Sequence, residues 1–176
     1  MTDSSSTGDL DSAGWRVDQE RIPGVIRGDR RRLTRVRAVS PAGDVDAYCT
    51  RVPLEPGLSA AVTLDVGDED TALAFRSGQV AVLATPRLIA LCEEASLLAV
   101  DGRVPEGHTT VGMRVQLDHL APTAVGTKVL AEATLEKVEG RRLTFTVSAT
   151  DERGLVAAGK VTRVVVDVDR FLEKCH

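Results

Sequence analysis

The change of hydrophobic period near residue 108 is what most constrains this chain. Before it lies one long apolar segment of helical character. After it every apolar run alternates with period two. Val129, Ala131, Ala133 and Leu135 fall on one face of the run Thr127 to Val138, and Leu143, Phe145, Val147 and Ala149 on one face of the next. Glu139-Gly140-Arg141 between them is a hairpin signal, and the second turn, Asp151 to Gly154, leads into a final run from Leu155 to Val168. Thr109 to Asp118 is a further strand, and Pro122 to Gly126 connects it to the run that begins at Thr127. Successive strands joined by turns this short must pair antiparallel, because a parallel pair needs a long crossover.

The helical segment opens at Thr85, expected as the N-cap, with Pro86 at the first helical position. Helix formers run from Leu88 to Val100, and Gly102 stops them. Leu88, Ile89, Leu91, Cys92, Ala95, Leu97, Leu98 and Ala99 cover most of the circumference, which predicts a helix buried all round. Upstream, Ser59 to Val66 reads as a strand ending at Gly67-Asp68, and Phe75 to Gln79 as a loop. The expected fold class is α+β: an antiparallel sheet wrapped around one long central helix.

Length allows one such domain: the 176 residues are 43% hydrophobic but only 3% aromatic, so Val, Ala and Leu must build the core. The expected organisation is a poorly ordered extension over residues 1–40, a transitional segment over 41–57 with one short strand near Tyr48 to Val52, a domain over 58–171 and a tail over 172–176. Arg27 to Arg37 carries six arginines, but no aromatic residue interleaves with them. With a net charge of −4, this argues for a solvated stretch and against nucleic acid or an anionic membrane as partner. No apolar run has the length a bilayer needs, and Met1 to Gly14 has no apolar core of a secretory signal, so a cytoplasmic protein is expected. Cys49, Cys92 and Cys175 have no metal-binding spacing and no two histidines sit at ligand spacing, so neither a disulfide framework, nor a metal, nor a cofactor is expected.

Chemistry concentrates around the helix. Glu93 and Glu94 are adjacent carboxylates on an apolar segment, which is costly unless one is partnered by an ion pair or has a task. Thr85 reads first as a cap, although a hydroxyl at a helix start also faces several N–H groups that lack intrahelical acceptors. His119 closes the strand Thr109 to Asp118, and Gly112 inside that strand signals a close approach by another element or a ligand. Cys92 reads as core. A hydroxyl, a carboxylate and an imidazole at the borders of one sheet–helix unit form a candidate hydrolytic set.

Several segments, in order, resemble one known family. Val82-Leu83-Ala84-Thr85-Pro86 followed by Leu91-Cys92-Glu93 is similar to the start of the central helix in the fluoroacetyl-CoA thioesterase family. Thr110-Val111-Gly112, Asp118-His119-Leu120-Ala121-Pro122-Thr123 and Val125-Gly126 resemble its next strand and turn. Val138-Glu139-Gly140-Arg141-Arg142-Leu143 and Val164-Val165-Val166 continue the likeness, which covers Leu58 to Phe171. The resemblance implies a hotdog fold that dimerises with sites at the interface, with a tetramer as a further option, and hydrolysis of an acyl-CoA or acyl-carrier thioester. It carries catalytic roles to Thr85, Glu93 and His119, and substrate contact to Gly112, with Pro86 and Val82 beside it. In the fluoroacetyl-specific enzyme phenylalanines before the helix gate the acyl pocket. The corresponding Phe75-Arg76-Ser77-Gly78-Gln79-Val80 lacks them, which implies a wider or different pocket. The alternative is a hotdog protein that binds acyl-CoA or a related ligand without turnover; a hotdog dehydratase and a regulatory module using the basic stretch are further alternatives.

Overall fold

The structure, a computed structural model, describes residues 35–36 and 53–175. The expected extension, apart from residues 35–36, and the expected short strand near Tyr48 to Val52 lie outside the described residues. Six strands form one sheet: β1 (Arg35–Val36), β2 (Ser59–Asp65), β3 (His108–His119), β4 (Lys128–Glu139), β5 (Arg142–Asp151) and β6 (Gly154–Asp167). Their order across the sheet is β1-β2-β4-β5-β6-β3, and every pairing is antiparallel.

The period-two residues build the inner face. Val129, Ala131, Ala133 and Leu135 of β4, and Leu143, Phe145, Val147 and Ala149 of β5, are all buried, as are Ala60, Val62 and Leu64 of β2. The β4–β5 hairpin turns on Gly140, which takes the left-handed φ of 61°. The β5–β6 turn is held by Asp151, whose Oδ1 accepts the Arg153 N–H at 2.8 Å. That backbone hydrogen bond, ahead of the Arg153 guanidinium, holds the Asp151 carboxyl below its ordinary value.

One helix, α1 (Thr85–Leu98), packs on this face, chiefly against β2 and β4. It differs from expectation in three respects. It is 14 residues long, an ordinary helix length, not a long one. It is not buried all round: Leu88, Leu91, Cys92, Ala95 and Ser96 face the core, whereas Ala90 is exposed and Leu97 is 40% exposed. A helix laid on one sheet has only one face to bury, so the apolar residues opposite stay open in a single chain. Finally, Ala84 is the N-cap, Thr85 is the first helical residue, and no side chain caps the helix. After β6 the chain forms a short helix, α2 (Val168–Leu172), and a 3-10 turn, Glu173–Cys175.

Three register shifts interrupt the ladders of the sheet: opposite Arg163 at Gly112/Arg114, at Leu135/Lys137, and at Ala149/Thr150. The last leaves Val156 bulged, and its carbonyl accepts both Leu120 N–H at 2.8 Å and Ala121 N–H at 3.3 Å. This seats the chain just beyond His119. Among the described residues, no helix is long and apolar enough to cross a membrane.

Phe145 is fully buried at the centre of the core. Phe145→Ala is expected to cost about 3–5 kcal/mol of unfolding free energy, since the cavity adds to the lost transfer energy. A urea titration with an unchanged slope and a lowered midpoint checks this.

Candidate active site

The start of α1 is pinned from three sides. Leu83 N–H donates to Thr123 O at 2.8 Å, and Ala84 N–H donates to Asp70 O at 2.9 Å. Asp70 is itself buried; its carboxylate accepts Gly67 N–H at 2.8 Å and Arg87 Nε–H at 2.8 Å. Arg87 is in the first turn of α1, so this ion pair ties the helix to the 3-10 turn Asp68–Asp70.

Thr85 is therefore held in place without using its own side chain, and its hydroxyl is available. Thr85 Oγ1 lies 2.9 Å from His119 Nδ1. The other ring nitrogen, His119 Nε2, is shielded from solvent and has no hydrogen-bond partner among the described residues. When Nε2 carries the proton, Thr85 donates to Nδ1, the geometry in which an imidazole activates a hydroxyl. The N–H groups at the helix start lack intrahelical acceptors; Pro86, in the same turn, has none to offer.

A pocket of about 320 Å³ opens beside this pair. The segment before α1 lines one wall with Ser77, Gly78, Val80, Val82 and Leu83, and the segment after β3 lines the other with Leu120 and Pro122. Thr85 and His119 border it. Pro86 is exposed and is not part of the lining.

Glu93 belongs to a second group. It is eight residues beyond Thr85, about 12 Å along the helix axis and about 80° around it. Its Oε1 lies 3.6 Å from Arg163 Nη1, and its side chain is 34% exposed. Gly112 of β3 faces it so closely that a Cβ there would overlap Glu93 Oε1. Arg163 is buried. Its Nε donates to Thr110 Oγ1 at 2.9 Å and its Nη2 to Thr110 O at 2.8 Å. Burial draws the Arg163 guanidinium below its ordinary pKa, and the Glu93 carboxylate pushes it back up. Within one chain the structure thus brings Thr85 to His119 and Glu93 to Gly112, as two separate clusters.

Sequence reasoning missed Arg163 and Asp70. A signal existed for the first: Val161, Arg163 and Val165 alternate on the inward face of β6, and an arginine in that row has to be partnered. Glu94 shows the cost of the neighbouring carboxylate. Burial pushes its pKa up, while Arg87 favours the charged form. Cys92 is core, its thiol pushed up to about 11 by burial.

Residues 66–169 match the model of the FlK family, described as fluoroacetyl-CoA-specific thioesterase. The chain belongs to this family. It is 33% identical over 93 residues to the fluoroacetyl-CoA thioesterase of Streptantibioticus cattleyicolor, a stretch covering 53% of this chain and 67% of that one. The solved fluoroacetyl-CoA thioesterase FlK superposes with a TM-score of 0.66 at 26% identity, over 69% of this chain and 95% of FlK. A hot-dog-like protein from Thermanaerovibrio acidaminovorans gives 0.64 at 28% identity, over 68% and 89%. FlK family members are thioesterases, and the antiparallel sheet with one helix packed on it is their hotdog architecture.

The raised Glu94 value carries a sign. A carboxyl whose folded pKa exceeds its unfolded one adds stability when protonated and loses it as pH rises through the folded value. Glu94→Gln is therefore expected to gain on the parent as pH rises beyond about 4.3, the ordinary glutamate value. Denaturation midpoints across pH measure it; an offset constant with pH would contradict it.

Proposed function

We propose that this chain hydrolyses acyl-CoA thioesters to free acid and thiol, with Thr85, Glu93 and His119 as catalytic residues of a homodimer. The observation that carries the reading is the 2.9 Å Thr85–His119 contact at the edge of a pocket, in a member of a thioesterase family. Water adds its oxygen to the thioester carbonyl, and the sulfur leaves as thiol with a proton. Glu93 takes the proton from water or attacks the carbonyl itself. His119 moves protons and delivers one to the leaving sulfur. Helix-start N–H groups and the Thr85 hydroxyl steady the oxyanion.

The short hydroxyl–imidazole contact favours a second reading of the same reaction, in which Thr85 attacks after giving its proton to His119 and water then releases the acyl group. A transient acyl adduct on Thr85, seen by mass spectrometry after a rapid acid quench, separates the two.

Two observations support the homodimer. Strand β3 is the last in the sheet and pairs only with β6 among the described strands, so one edge offers its backbone to another strand. The open face of α1, with Leu97, also needs cover. A partner copy would further bring its Glu93 toward the Thr85–His119 pair, which the chain's own Glu93 does not touch. Mixing Glu93→Gln with His119→Ala protein then restores activity that neither has alone; no restoration would place all three residues in one chain. We place this activity in the cytoplasm, in keeping with the composition. The alternative, binding without turnover, predicts no thiol release from any acyl-CoA.

In a free-thiol release assay, Glu93→Gln and His119→Ala are each expected to lower kcat/KM by about 10²–10⁴, the worth of one positioned acid or base. Unchanged rates would remove those residues from the mechanism. Gly112→Ala is expected to lose turnover with a much smaller loss of melting temperature, since the added methyl displaces the carboxylate end of Glu93 that faces Arg163. An equal loss of both would make Gly112 a packing residue instead.

A further inference from the structure

We propose that the pocket beside Thr85 and His119 holds the acyl group, and that the preferred substrates carry an uncharged acyl chain of medium length. This rests on the hydrolase reading and gives it a substrate class.

Size is the first argument. The pocket measures about 320 Å³. This space is open on one side and is larger than the roughly 30 Å³ that one water-sized group takes in a liquid, so it can receive more than an acetyl or fluoroacetyl unit. Chemistry is the second. Ala72, Val80, Val82, Leu120 and Pro122 supply apolar surface, and no Lys, Arg, Asp or Glu side chain lines the pocket.

The third argument separates the acyl group from the other arm of the substrate. A pantetheine arm carries two amides, and burying an amide without partners is costly. Five backbone N–H groups of the lining are already engaged. Ala72 N–H is bonded to Val82 O, Ser77 N–H to Ala72 O and Leu83 N–H to Thr123 O, while Leu120 and Ala121 N–H both go to Val156 O. Pro122 has no N–H. A hydrocarbon asks for none of these. Val80 and Leu120, each 58% exposed, form a rim that a longer chain would cover.

The test is kcat/KM for acetyl-, butanoyl-, hexanoyl-, octanoyl- and decanoyl-CoA, together with dissociation constants of the matching non-hydrolysable thioethers. Each methylene removed from water is worth about fourfold. With the walls open on one side, a rise of at least about tenfold from acetyl to hexanoyl or octanoyl is expected. Ser77→Phe and Ala121→Leu, which narrow the pocket from opposite walls, are each expected to move the optimum to shorter chains in both measurements. If one of them fails to fold, the other and the parent series still decide. A flat series, or acetyl as the best substrate, overturns the proposal. So does an equal loss at every length in both variants, which would put the pantetheine arm in the pocket. Absence of turnover with every thioester would instead defeat the hydrolase reading, and the length dependence of thioether binding would still decide what the pocket takes.

Discussion

Everything in this fold is set by one helix face meeting one sheet face. Leu88, Leu91, Cys92 and Ala95 of α1 are fully buried against the inward side chains of β2, β4 and β5. At about 25 cal/mol per Å² of apolar surface, that contact is the main favourable term opposing chain entropy. It also fixes the rotation of α1 about its own axis. Once those four residues point inward, Thr85 falls at the end of the sheet beside His119, and Glu93 falls over β3 where Gly112 leaves room. The positions of the chemical groups are thus a result of packing.

The paired carboxylates on α1 show how packing separates two like residues. Glu93 stands beside a buried guanidinium that Thr110 holds by its backbone and hydroxyl, so the direction of that positive charge is fixed. Glu94, one position on, is pushed up by burial and has only the more distant Arg87 to favour its charge, and Arg87 is already tied to Asp70. The same helix therefore carries one carboxylate with a dedicated cation and another that ionises at a cost.

Much of the fold is legible in the amino-acid order. The period-two runs of β4 and β5 place their apolar residues inward, and the strand and helix limits fall within a few residues of those expected. Local periodicity is enough there because each strand has one buried face. Thr85 departs from expectation for a local reason: hydroxyl plus proline is a capping pattern, but Ala84 takes the cap position and the hydroxyl turns to an imidazole 34 residues away. The breadth of apolar residues on α1 suggests burial within one chain, although the pattern cannot say which molecule covers a face. The ion pairs Arg87–Asp70 and Arg163–Glu93, which hold the site, are hidden in the sequence because neither partner lies near the other along the chain.

The two walls of the pocket are built from unlike material. On one side the residues after His119 hang from a single bulged carbonyl, that of Val156, in the strand that pairs with both β5 and β3. On the other side residues 73–80 are all exposed and include Arg76 in a left-handed backbone conformation. Moving the backbone of the first wall means disturbing strand pairing, whereas the second is set by surface side chains. A lineage built on this scaffold can retune what it accepts from one bank alone, keeping the reacting groups anchored to the other.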